Sequence, residues 1–89
     1  MVLIDPVRRY SKGPHGYLDW CHMMTDDLSP EGLAELHSLA QAIGLRREWF
    51  QWHPRLSHYD LTPARRRLAV VHGAVEVSAR DLVRRCRRA

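Results

Sequence analysis

The feature that most constrains the fold is a piece of punctuation used twice: a hydroxyl residue, a proline, an apolar-periodic run, and a closing glycine. Ser29-Pro30 opens a run that stops at Gly44, and Thr62-Pro63 opens one that stops at Gly73. The hydroxyl caps the first helical amides. Proline suits the first helical position, where its missing N–H would have no partner anyway, and glycine takes up the left-handed stop. These brackets predict one helix from Pro30 to Ile43 and a second from Pro63 to His72. The first directs Leu33, Leu36, Ala40 and Ile43 inward, with His37 on the same stripe. The second is expected to bury Ala64, Leu68 and Val71, with Arg65 and His72 flanking that face and Arg66 turned away. Ser78 and Asp81 have the spacing of a capping box, which predicts a third, basic helix or tail over 78–89 with Ala79, Leu82, Val83 and Cys86 inward.

Extended segments fill the spaces between the helices. Val2-Leu3-Ile4 is a short apolar strand ending at Asp5-Pro6, and residues 6–16 read as a loop. From Tyr17 to Met24, Leu18, Trp20, His22 and Met24 alternate with Asp19, Cys21 and Met23, a strand pattern that ends near His22. Pro54 argues against a long helix over Arg46 to Trp52, so a turn or irregular strand is expected there. His58 to Leu61 reads as a short extended piece, and Ala74 to Val77 as a last strand. This order predicts a single α+β, or small open α/β, domain over 1–89, with three to four short strands and three helices packed on the sheet.

With 89 residues, the core is thin, and a homo-oligomer is the expected state. No apolar run approaches the roughly 20 residues that a membrane span needs, and Asp5 interrupts the start too early for a signal peptide. A cytoplasmic protein without a membrane partner is the expectation. Cys21 and Cys86 show no metal or redox spacing and read as buried thiols. Charge is distributed unevenly: residues 1–45 carry three basic against six acidic side chains, and residues 46–89 carry eleven against four. No phosphate-loop, dinucleotide or nucleophile-elbow motif occurs, so those enzyme classes have no support.

Several segments together carry a resemblance. Cys21-His22-Met23-Met24 with Asp26 comes first, and Glu35-Leu36-His37 with Ala40, Ile43-Gly44-Leu45, Arg47 and Trp49-Phe50-Gln51 follows. His58-Tyr59-Asp60-Leu61, then Arg67 with Ala69, then Gly73-Ala74 complete the set. In this combination the chain resembles the bacterial and phage family called domain of unknown function 4031, over about residues 2–77. The opening Val2-Leu3-Ile4-Asp5 is similar to that family's first strand and aspartate. At Pro6 the family carries a second acid, and residues 10–16 also depart from its pattern. The resemblance implies a bacterial cell or a phage-infected host as the setting, and it implies no reaction.

The chemistry is expected where His22, His37, His58 and Asp60 converge. In an extended segment His58 and Asp60 point to one side and Tyr59 to the other, which suits a His/Asp pair sharing a metal, a proton or a hydrogen bond. The sharpest reading has His22, His58 and Asp60 as catalytic residues that bind a divalent metal, with His37, Tyr59 and Arg65 binding a small anionic, nucleotide-like ligand open to hydrolysis. The bland reading gives these side chains structural hydrogen bonds alone. A competing class is a non-catalytic nucleic-acid- or protein-binding module that uses Arg66, Arg67, Arg80, Arg84, Arg87 and Arg88 on phosphates, with Trp49 or Trp52 stacking on bases. Trp49, Phe50 and Trp52 also read as an apolar patch for a partner chain.

Overall fold

The computed structural model describes residues 1–86. Strand β3 (Asp19–Thr25) is the hub. It pairs antiparallel with β1 (Val2–Ile4), β2 (Arg8–Arg9) and β4 (Tyr59–Leu61), and β5 (Val75–Glu76) joins β1 in parallel. Helices α1 (Pro30–Ala42), α2 (Pro63–Val71) and α3 (Ala79–Cys86) complete the expected α+β architecture. The sheet has five strands rather than three or four. The additional one is β2, two exposed arginines whose pairing depends on backbone register and leaves no apolar signal.

Both brackets act as their chemistry requires. Ser29 Oγ accepts from Gly32 N, and Thr62 Oγ1 accepts from Arg65 N. Gly44 and Gly73 close the helices at φ 86° and 99°, the left-handed region that glycine enters without penalty. The region over Arg46 to Trp52 forms a short 3-10 turn (Arg47–Trp49), then a bridge between Gln51 and His58.

Between β1 and β2 the chain gains one residue. Ile4 to Arg8 spans four positions, whereas their partners Met23 to Trp20 span three. The extra residue is a bulge around Asp5–Val7, one of the few places in a sheet where a proline such as Pro6 is tolerated.

The two faces of the sheet differ. On one, Ile4, Cys21, Met23, Tyr59 and Leu61 pack under α1 and α2 with Leu36, Ala40 and Ala69. On the other, Leu3 and Met24 meet Leu82 and Cys86 of α3. Each fully buried aliphatic side chain contributes about 1.5–3 kcal/mol. Because side chains alternate along a strand, Asp5, His22 and Asp60 share the α3 face with Leu3 and Met24.

Helix α2 corrects one expectation. Its inward residue is Ala69, whereas Leu68 is 46 % exposed and Val71 80 %. The small Ala69 side chain suits close packing on the sheet, and Arg66, expected to face away, reaches inward. Its Nε donates to the Asp5 carbonyl at 2.9 Å and its Nη1 to Glu76 at 2.9 Å. Apolar periodicity on a helix this short identified a stripe, but not the stripe that docks.

Candidate functional site

Three elements bring the candidate ligands together. His22 lies within β3 rather than at its end, directly opposite Asp60 of β4. His58 stands two residues before Asp60 and therefore on the same side of the chain. One ligand atom from each of His22, His58 and Asp60 falls within 4.8 Å of the other two.

Hydrogen bonding fixes which nitrogens are available. His58 Nδ1 donates to the Leu56 carbonyl at 2.7 Å, so in the neutral ring Nε2 carries the lone pair. That Nε2 lies 3.2 Å from Asp60 Oδ1. Asp60 Oδ2 accepts from Gln51 Nε2 at 2.7 Å, but the buried Oδ1 accepts no hydrogen bond from the described residues. His22 Nδ1 faces Asp5 Oδ2 at 3.1 Å, and Asp5 Oδ1 accepts from the His22 amide at 2.7 Å. A carboxylate that holds Nδ1–H leaves Nε2 as the free nitrogen of His22 as well.

Electrostatics follow from this arrangement. Burial pulls the His58 pKa down, but Asp60 and the Leu56 carbonyl more than offset it, and the net shift is upward. Burial pushes the Asp60 pKa up, but contacts to His58 and Gln51 outweigh it, and the net shift is downward. The site therefore favours positive charge beside Asp60. Rings extend the cluster outward, with Trp20 packed edge-on against His22 at 5.0 Å and Tyr10 against Trp20 at 4.2 Å.

Asp60 also lines a cleft of about 270 Å³ with His15, Trp49, Gln51, Thr62 and Arg65. Arg65 is half-buried, its guanidinium lies over the Trp49 ring at 5.6 Å, and its Nε donates to the Ile43 carbonyl. His37 and Tyr59 lie elsewhere: His37 Nδ1 contacts the Tyr59 hydroxyl at 2.8 Å on the α1 face, beside Phe50. The residues expected to form one pocket thus divide: His22, His58 and Asp60 meet on one face, His37 and Tyr59 on the other, and Arg65 shares a cleft with Asp60 but not with either histidine of the group.

The arginine face is partly neutralised. Arg66 pairs with Glu76 and Arg84 with Asp81. Arg67 and Arg80 are exposed, and Arg87 and Arg88 lie outside the described residues. Trp52 is 69 % exposed, whereas Trp49 and Phe50 pack against the core. Burial pushes the Cys21 thiol to about 12 and the Cys86 thiol to about 11, which keeps both protonated and poorly nucleophilic.

Sequence reasoning missed the supporting residues. Asp5 faces His22 because it continues the antiparallel β1–β3 register by one residue, and Gln51 reaches Asp60 through an isolated bridge. The period-two alternation of Leu3 and Asp5 was the available signal for Asp5. No such signal pointed to Gln51.

A family model described as "Protein of unknown function (DUF4031)" matches residues 2–89. No curated protein and no solved structure matches the chain. Among the described residues, no helix is long and apolar enough to cross a membrane.

Proposed function

This chain belongs to the DUF4031 family of proteins of unknown function, and from that premise we propose that it is a metal-dependent binding protein with hydrolytic capacity. In this reading His22, His58 and Asp60 hold one divalent transition-metal ion, and Arg65 helps retain a small anionic, nucleotide-like ligand beside it.

One observation carries the reading: among the described residues the buried Asp60 Oδ1 has only His58 Nε2 to face, at 3.2 Å, and that nitrogen can donate only when the ring is protonated. Two acceptors at that distance repel unless a cation or a proton joins them. Neighbouring ligand atoms around a single ion, each bonded at about 2.1 Å, are about 3.0–3.4 Å apart. Two imidazoles and a carboxylate suit zinc, iron(II) or manganese. Asp5 and the Leu56 carbonyl supply the outer hydrogen bonds that orient metal-binding histidines.

Three protein ligands leave coordination positions for water and substrate. A divalent ion held by His22, His58 and Asp60 would supply Lewis acidity and a more acidic bound water for ester hydrolysis, with Arg65 positioned to retain the anionic group. The expected homo-oligomer belongs to the same reading, with the exposed Leu68 and Val71 as its candidate contact.

Native mass spectrometry of protein prepared without chelator, followed by calorimetric zinc titration, tests both points. One ion per chain is expected, lost in His58→Ala and Asp60→Asn variants that keep the wild-type circular dichroism. Wild-type protein that takes up no zinc, manganese or iron(II) would reject the metal, and a monomeric spectrum would reject the oligomer.

A further inference from the structure

Burying charge without a counter-charge is expensive, so a half-buried guanidinium normally sits against a carboxylate. Of the three half-buried arginines among the described residues, Arg66 meets Glu76 and Arg85 meets Asp26. Arg65 forms no ion pair with a described residue; its guanidinium meets the Ile43 carbonyl and the Trp49 ring. Glu48 lines the same cleft, but its carboxylate engages Arg46. The cleft thus holds a cation whose counter-ion the described residues do not provide.

A second observation concerns His15, which lines the same cleft. His15 adopts φ 52° and ψ 30°, the sole non-glycine residue with positive φ among those described. The ring of His15 meets the edge of Trp49 at 4.5 Å, and Arg65 lies over the same indole. Trp49 therefore holds two nitrogen donors at one cleft, with Asp60 lining it as well.

We propose that this cleft is a phosphoryl subsite, in which Arg65 and His15 hold oxygens of a phosphate monoester while another oxygen of the same group reaches the metal at Asp60. The inference rests on the metal reading above and extends it to a substrate class. A tetrahedral group with three terminal oxygens can serve a guanidinium, an imidazole N–H and a metal together, whereas a carboxylate has only two oxygens to share. Trp49 is a positioning residue, since it touches the donors rather than the reacting group.

Calorimetric titration with phenylphosphonate, a monoester mimic that is not hydrolysed, tests the subsite with zinc and with chelator. With zinc, wild-type protein is expected to bind it, and Arg65→Met to bind at least about tenfold more weakly, with partial recovery in Arg65→Lys. His15→Gly removes the ring while permitting the same backbone conformation, so several-fold weaker binding without loss of thermal stability is expected. Both variants should still take up zinc. Phenylphosphonate affinity unchanged in Arg65→Met and His15→Gly, or no binding by the zinc-loaded wild type, would overturn the subsite. Wild-type protein that takes up no zinc yet binds phenylphosphonate in an Arg65-dependent way would remove the metal reading and leave the subsite standing.

Discussion

Two histidine clusters on opposite faces of one sheet show how the same residue types can have different roles. Beneath α1, His37 meets the Tyr59 hydroxyl, and Phe50 packs edge-on against it. Burial, with a smaller push from Arg47, lowers the His37 pKa, so the neutral ring is favoured and the contact is an ordinary neutral hydrogen bond. Across the sheet, His58 Nε2 faces the buried Asp60 Oδ1 at 3.2 Å, a contact that needs a proton or a cation, and Asp5 and Asp60 bring two carboxylates to the same face. One cluster is satisfied when neutral, and the other is satisfied only with an added proton or, in the proposed reading, a metal ion. What separates them is the balance of donors and acceptors, not the count of histidines.

The strongest way to break this contrast is to remove a ligand. Asp60→Asn or His58→Ala should weaken zinc binding more than about 100-fold, beyond the 10–100-fold typical of outer partners, as read by competition with a chelating dye. Equal zinc affinity in Asp60→Asn would place the ion elsewhere. Asp5→Asn comes next, with about 10–100-fold weaker binding. An amide donor facing His22 Nδ1 favours the other tautomer, which places a proton on Nε2 where the metal would bind.

The satisfied cluster should respond only in stability. Tyr59→Phe deletes one partly buried hydrogen bond and should cost about 0.5–1.5 kcal/mol, each kcal/mol lowering Tm by about 4–8 °C in a domain of this size, with zinc affinity unchanged. A change in zinc affinity would show that the two faces are coupled.

The smallest effect is the pH profile of metal-free protein. His58, whose folded pKa is raised, contributes stability that is complete below its unfolded pKa and is lost as pH rises through the folded value. Asp60, whose folded pKa is lowered, contributes stability that is present above its unfolded pKa and is lost as pH falls through the folded value. Both describe one contact, which is therefore greatest between about pH 4 and pH 6.5. Thermal melts in chelator from pH 4 to 8 should decline on the alkaline side for the wild type, and His58→Gln should flatten that decline.

Much of this was legible in the residues. The Ser29-Pro30 and Thr62-Pro63 brackets set two helices because capping and φ restriction act within a few residues. His58 and Asp60 share a side because strand alternation is local too. The sequence by itself thus determined the three helices, the α+β class and the shared side of His58 and Asp60, but not strand β2.

Only the tertiary structure decided the rest. Which stripe of α2 docks depended on Ala69 fitting the sheet, and Arg66 turned inward to meet Asp5 and Glu76 from distant segments. His22 met Asp60 through the β3–β4 register, and the β1–β3 register placed Asp5 behind it. Register and docking arise from contacts between residues far apart in the chain. Local pattern does not carry those contacts, so it could supply the candidate residues but not the face on which they meet.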